Sequence, residues 1–385
     1  MRLKKWIRGT LSVAIGCMAA FPCFSCGGDN GPKDTVITES EKITMTEFSQ
    51  PVSLLPLYVE SYLAADPQDL VTSYVVGGNR LDKGAPVTIE YSFKDIGSST
   101  ILEEKLEISS AEDFSTIEQT LYFAPRRSSV NIYNLQTDTT YFYRVTVVLD
   151  NGETHVKTSS LQTQDTIRFI ALDGACNVRD IGGWQTQSGK TIKSGLLYRG
   201  SEIDGGKNTG HADFCLTEKG ITQLRALGIK TDFDLRSSEN KVSEHSILGE
   251  DVARTFYNAP QYQFYFNNSN KETTRKIFSD LAKPEAYPVY LHCTHGVDRA
   301  GSTVLLLESL LGVAKEDLIR DYELSAFYYA HVNRNTLNGG GSVTLMLEKL
   351  ETFEGETLAD KTENFLLSVG VTQAEIDTIR SIFLG

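Results

Sequence analysis

Cys293 and Arg299 stand six positions apart in the stretch LHCTHGVDRAGS (291–302), with His292, His295, Gly296 and Asp298 beside and between them. Three chemistries use such residues. A zinc site draws its ligands from clusters at workable spacing, but His292, Cys293 and His295 crowd together with no partner group nearby in sequence. A thioredoxin-like redox site needs C-x-x-C, and this stretch holds one cysteine. The third chemistry, a nucleophile in an anion cradle, uses every position. Backbone N–H groups of a tight loop converge on one point, and the helix that follows adds its positive end. Gly296 permits a backbone conformation that a side chain resists. Arg299 can reach back across the loop with a planar fork that matches two phosphate oxygens. That field favours the thiolate of Cys293, a nucleophile toward a bound phosphoryl group.

The flanking residues must position this loop. The apolar run YPVY before it predicts a buried strand ending at His292, and TVLLLESLLGV after it predicts a helix entered near Ala300. From about 166 onward the whole chain alternates in this way. IRFIAL, GLLYRG, IKTDFDL and YPVYLHC read as strands; TEKGITQLRALG and STVLLLESLLG read as helices, which implies an α/β domain over 166–385. The tail TQAEIDTIRSIFLG reads as a last helix, with Thr372 as N-cap and Glu375 three residues on. Residues 51–165 differ. Strict alternation in VTIEYSF and YFYRVTV, with turns such as DNG at 150–152, predicts a β-sandwich.

A net charge of −13 argues against a nucleic-acid partner held by charge alone, so the anion site must be a local feature. The first residues carry Arg2, Lys4, Lys5 and Arg8, followed by the short apolar run GTLSVAIGCMAAF. This reads as a secretory signal over 1–25, followed by a polar tether over 26–50. Six cysteines, three of them (Cys17, Cys23 and Cys26) in the signal or directly after it, do not make a disulfide framework.

Three resemblances follow from these residues. CFSCGGDN resembles a bacterial lipoprotein processing site, which implies that Cys26 carries the lipid and that the protein is anchored to a membrane of the cell envelope. NLQTDTTYFYRV resembles the entry to a late strand of a fibronectin type III domain, with Tyr141 as corner tyrosine, although Thr137 stands where proline is common. The succession NVRDIGGW, SGLLYRGSEI, LGIKTDFDLRSSEN, HCTHGVDRAGS and EDLIRDYELS resembles the bacterial tyrosine/serine protein phosphatases, cysteine-dependent relatives of dual-specificity and phosphoinositide phosphatases. It covers about 166–385.

The last resemblance implies roles. Cys293 would form a cysteinyl-phosphate, and Arg299 would bind the phosphate. The N–H groups of Thr294, His295, Gly296, Val297, Asp298 and Arg299 would complete the cradle. Asp298 would be the general acid, with Asp234 as a rival that shares that role or orients Arg299. His292 would tune the thiolate through hydrogen bonds, and Arg179 and Asp180 would support the loop. No metal or other cofactor is implied. Two positions depart from the family. Val297 replaces a lysine suited to highly phosphorylated substrates, and Ala300 replaces a hydroxyl residue that helps the thiolate leave. Three classes stay open: a phosphatase of phosphotyrosine with or without phosphoserine and phosphothreonine, a phosphatase of phosphoinositides or inositol phosphates, and a weakened phosphatase that binds phosphorylated ligands.

Overall fold

The computed structural model describes residues 39–75, 81–94, 97–123, 128–205, 214–236 and 243–385. The expected leader and Cys26 lie outside the described residues. The first strand, β1 (Ile43–Met45), falls within the expected tether. Ile43 is buried, and β1 pairs antiparallel with β2 (Val87–Phe93) beyond the helix α1 (Leu57–Leu63). The tether reading is therefore corrected: polar side chains dominate 39–50, but the few apolar ones are enough to pair and cover a strand. Strands β3 (Ile101–Ser109), β4 (Gln119–Tyr122), β5 (Ser129–Ile132), β6 (Thr140–Leu149) and β7 (Thr154–Gln162) complete two antiparallel sheets, in the orders β4–β3–β6–β7 and β1–β2–β5. The period-two pattern decides which side chains meet between them. Val87, Ile89 and Tyr91 of β2 face Tyr141, Tyr143 and Val145 of β6 in one core. The Tyr141 hydroxyl accepts the Gln136 N–H at 2.9 Å and closes the turn into β6.

The second half is built on five strands. In chain order these elements are β8 (Arg179–Asp180), β9 (Leu197–Gly200), α2 (Glu218–Ala226), β10 (Thr231–Asp234), β11 (Ala253–Phe256), α3 (Lys271–Leu281), β12 (Val289–His292), α4 (Asp298–Leu311), α5 (Lys315–Glu323), α6 (Val343–Leu350), α7 (Leu358–Ser368) and α8 (Gln373–Leu384). The sheet runs β11–β10–β12–β9–β8, parallel except at β8. The strand β12 is central and buried on both faces, as its unbroken apolar run requires. IRFIAL is not a strand; it holds only an isolated bridge between Phe169 and Arg179. Helix α4 is buried on every side from Ala300 to Leu311 and ends at Gly312 in a left-handed turn. Thr372 caps α8, and Glu375 returns the bond to the Thr372 N–H.

The expected division at 165 does not hold for every segment before it. Leu55, Val59, Tyr62 and Val71 belong to the same core as Leu291 and Val304 rather than to the sandwich core. A segment around α1 thus crosses from the β domain and packs on the α/β domain. It resembles neither pattern in sequence, because a single seven-residue helix has too few turns to announce which core it serves.

Candidate active site

The chain leaves the sheet at Cys293, just beyond the carboxyl end of β12, where open parallel sheets bind their ligands. Cys293 is 2 % exposed. Helix α4 begins at Asp298, two residues earlier than expected. Its N-cap, Val297, offers no side-chain hydrogen bond to the first turn, so the N–H groups there are left to other acceptors.

What shapes the loop is the fate of its carbonyls. The Thr294 oxygen accepts the Glu202 N–H at 3.1 Å. The His295 oxygen accepts Asn177 Nδ2 at 3.2 Å, and the Gly296 oxygen accepts Arg199 Nη2 at 2.9 Å. A trans peptide sets its N–H opposite its C=O. Fixing these three carbonyls on the outer side therefore turns the N–H groups of His295, Gly296 and Val297 to the inner side. Gly296 has φ +69°, and a Cβ there would sit 2.4 Å from the Gly200 carbonyl carbon. The loop and β9 approach this closely only because neither carries a side chain at the crossing. Arg299, half-buried in the first turn of α4, donates to Thr294 Oγ1 at 3.3 Å and so lies back across the loop.

The outer ring is held by a buried ion cluster. Asp321 on α5 binds Arg199 Nη1 at 2.5 Å and Arg179 Nε at 3.0 Å. Arg179 also donates to Asn177 Oδ1 at 2.6 Å. Burial works against the Asp321 charge, yet Arg179 and Arg199 hold its carboxyl below the ordinary range. Burial and the Arg179 charge pull Arg199 down to about 10, which leaves it charged at neutral pH. Removing one member of such a cluster strands the others, at about 3–5 kcal/mol. Arg179 thus reaches the loop through Asn177, whose Nδ2 holds the His295 carbonyl. Asp180, on the opposite face of the same strand, does not contact it. Its carboxylate takes Arg168 at 3.0 Å and the Gly195 N–H at 2.7 Å, and Arg168 in turn donates to the Leu135 carbonyl of the β-sandwich. Asp180 joins the two halves of the molecule.

The two candidate acids separate clearly. Asp298 is half-buried, and its Oδ1 accepts the hydroxyl of Tyr262, which also bonds the Tyr322 hydroxyl at 2.7 Å. The Tyr262 N–H donates to Ser302 Oγ at 2.6 Å, and Ser302 donates to the Asp298 carbonyl at 2.7 Å. Tyr262 adopts φ +52°, a conformation that non-glycine residues rarely take and that surrounding contacts must enforce. Asp234 is fully buried and accepts Arg236 Nε at 2.9 Å and Nη2 at 2.7 Å, with Arg254 as a further partner. Burial opposes its charge, but His292, Arg236 and Arg254 outweigh burial and keep it ionised far below the usual carboxylate range. A carboxylate held that way has no proton to give. Its arginines are Arg236 and Arg254, so orienting Arg299 is not its work either.

His292 is corrected in the same way. Its Nε2 bonds Asp232 Oδ1 at 2.9 Å, while Nδ1 has no hydrogen-bond partner. Burial disfavours its charge, but Asp234 and Asp232 raise its pKa above the ordinary value. It sits behind the loop at the end of β12 and makes no hydrogen bond to the thiol. His295 faces the mouth, its ring 5.2 Å from Phe214 and 5.8 Å from the exposed Tyr329. Val297 and Ala300 are buried, and the Ser302 hydroxyl is engaged with the Tyr262 N–H and the Asp298 carbonyl. Among the described residues, Cys215 and Cys293 are free thiols, and no cluster of His, Cys, Asp or Glu could hold a metal ion.

Asn177, Asp321, Tyr262 and Tyr322, and Arg199 as a contact of the loop, were not singled out by sequence. The available signal was charge inside apolar segments: an arginine in GLLYRG and an aspartate in LIRDYEL demand partners once buried.

Residues 170–385, more than half the chain, match the family described as the tyrosine phosphatase family. A tyrosine-protein phosphatase of Nostoc commune is 27 % identical over 135 residues, covering 29 % of this chain and 46 % of that protein. A putative tyrosine-protein phosphatase of Cupriavidus necator is 26 % identical over 192 residues, covering 44 % of this chain and 67 % of that one. The chain thus spans less than half the length of the Nostoc relative. The sixth fibronectin type III domain of a human fibronectin type III domain containing protein is matched over 91 % of its length and 31 % of this chain. Identity is 15 % and the TM-score is 0.17, too low to assign the sandwich to that fold.

Proposed function

The chain belongs to the tyrosine phosphatase family, and we propose that it hydrolyses phosphomonoesters through a cysteinyl-phosphate on Cys293. The observation that carries the reading is the loop whose carbonyls are taken on one side by Glu202, Asn177 and Arg199. Its N–H groups and Arg299 then frame a phosphoryl group in front of the thiolate. In the first step Cys293 Sγ attacks phosphorus while the bond to the leaving oxygen breaks, and Asp298 gives that oxygen its proton. In the second, the Asp298 carboxylate takes a proton from water, the water oxygen attacks phosphorus, and the P–S bond breaks to return the thiolate. Phosphate then leaves.

The aromatic wall of His295, Tyr328 and Tyr329 at the mouth favours an aryl ester, hence phosphotyrosine, over an inositol phosphate. Val297, buried where a lysine would add charge, points the same way. Ala300 favours slow breakdown of the intermediate. Anchoring to a membrane of the cell envelope through Cys26 completes the proposal and rests on sequence alone.

Residues 39–385 should hydrolyse p-nitrophenyl phosphate in the presence of EDTA, be inhibited by vanadate, and lose activity in Cys293→Ser. Activity that survives Cys293→Ser, or that needs added divalent metal, would overturn the mechanism.

A further inference from the structure

The loop has a support that lies far outside the matched residues 170–385. Asp82, 1 % exposed, accepts the backbone N–H of Asn177 at 2.5 Å. Asn177 adopts φ +54°, which costs a non-glycine residue energy unless neighbours hold it there. From that conformation its Nδ2 reaches the His295 carbonyl, and its Oδ1 takes Arg179. Asp82 therefore touches the residue that holds the loop.

Asp82 is itself delivered by a strap, residues 54–85, of which 54–75 and 81–85 are described. The strap is fastened at several points to the helix that also carries Asp321. The Tyr62 hydroxyl donates to Glu323 Oε2 at 2.5 Å. Arg320 donates to the Ala65 carbonyl at 2.6 Å, and Arg334, paired with Glu323, donates to the Pro67 and Asp69 carbonyls at 2.8 Å. Next to Asp82, the Leu81 N–H donates to the Phe327 carbonyl at 2.9 Å, and Gly84 passes so close to the Phe169 carbonyl that a Cβ would lie 2.4 Å from it. A linker between domains has no need of these contacts. The strap and the loop lean on α5 and on Asn177 from two sides.

We propose that the strap is a working part of the phosphate site and that Asp82 is a positioning residue, acting through Asn177 on the N–H cradle. The α/β domain then depends on a segment contributed by the N-terminal half, which ties phosphate binding to the attachment of the β-sandwich. The inference rests on the phosphatase reading, and the two fail in different ways.

The test uses residues 39–385. Asp82→Ala removes the acceptor, whereas Asp82→Asn keeps an oxygen in its place. The expected result for Asp82→Ala is a loss of roughly tenfold in kcat/KM for p-nitrophenyl phosphate, with weaker vanadate inhibition and a folded circular-dichroism spectrum, the scale of one charge-assisted hydrogen bond. Asp82→Asn should recover most of both. A purely structural role would lower the melting temperature and leave kcat and the vanadate constant of the folded enzyme unchanged, and that outcome overturns the proposal. Should Asp82→Ala not fold, hydrogen exchange on the unmutated protein decides. Coupling is reciprocal, so vanadate should slow exchange in 54–75 together with 293–301. Protection confined to 293–301 overturns the strap. A protein that neither binds vanadate nor turns over the ester refutes the phosphatase reading instead.

Discussion

Gly296→Ala is the most direct perturbation of the loop. The substitution adds one carbon at φ +69°, where an L residue is disfavoured by about 1–2 kcal/mol. The carbon would meet the Gly200 carbonyl carbon at 2.4 Å, its oxygen at 2.5 Å and the Ser201 nitrogen at 2.9 Å. All three are backbone atoms at the end of β9, so no flexible side chain can yield. Shifts of backbone in a packed site cost about 1–3 kcal/mol. The two effects together amount to about 2–5 kcal/mol, a large share of a stability of about 5–15 kcal/mol. The shift must also stretch the bond from Arg199 to the Gly296 carbonyl and displace the N–H groups beside it, and a displacement near 1 Å costs on the order of 100-fold in rate. Gly189 is the control. Its φ is +82° and nothing lies within 4 Å of its Cβ position, so Gly189→Ala should show only the conformational cost, about 1–2 kcal/mol, with kcat/KM unchanged. Urea unfolding and steady-state kinetics on both variants measure the two costs separately. A Gly296→Ala protein with the unfolding midpoint of Gly189→Ala and full activity would show that the close crossing of loop and strand does not shape the site.

Two further outcomes are expected. Tyr262→Phe frees Asp298 Oδ1 from its donor and loosens the proposed acid; an alkyl leaving group needs a proton more than nitrophenolate does, so turnover of a phosphoserine peptide should fall roughly tenfold more than that of p-nitrophenyl phosphate, and equal losses on both substrates would refute the role. Glu308 is buried on α4 with neither oxygen hydrogen-bonded, and burial, with Asp321 next, raises its pKa well above 4.5 against the pull of Arg199 and Arg179. The folded chain then keeps a proton that the unfolded chain releases, so this residue lowers stability as pH rises above about 4.5, by about 1.4 kcal/mol per pH unit until the folded group ionises. Glu308→Gln should remove that slope and be the more stable protein at pH 8 but not at pH 4. Parallel urea midpoints for the two proteins across that range would refute it.

Most of what was legible in the sequence is short in range. The alternation of VTIEYSF and YFYRVTV, the central strand before Cys293, the buried helix after it and the capping box at Thr372 all follow from neighbours along the chain. The strand expected at IRFIAL failed because its residues had no edge to pair with beyond one bridge, and pairing is a property of the partner as much as of the segment. The tether failed at Ile43 for the converse reason: a partner, β2, was waiting for a weak strand.

The site divides along the same line. Cys293, Gly296, Asp298 and Arg299 lie within seven residues, so connectivity alone brings them to one turn, and their types were enough to name an anion cradle with a nucleophile. Sequence put Asp298 first as the acid and kept Asp234 as its rival. Only the folded chain separates them, by placing Arg236 and Arg254 on one and Tyr262 on the other. Asn177, Arg199 and Asp321 take hold of the loop or brace it across the register of β9 beside β12 and the packing of α5, and Asp82 arrives from farther still. A polar side chain carries no mark of its distant partner. Its need for one arises only on burial, when water is no longer there to satisfy it. Sequence by itself determined which residues share the loop; tertiary structure decided which way the loop turns its N–H groups and which partners hold each aspartate.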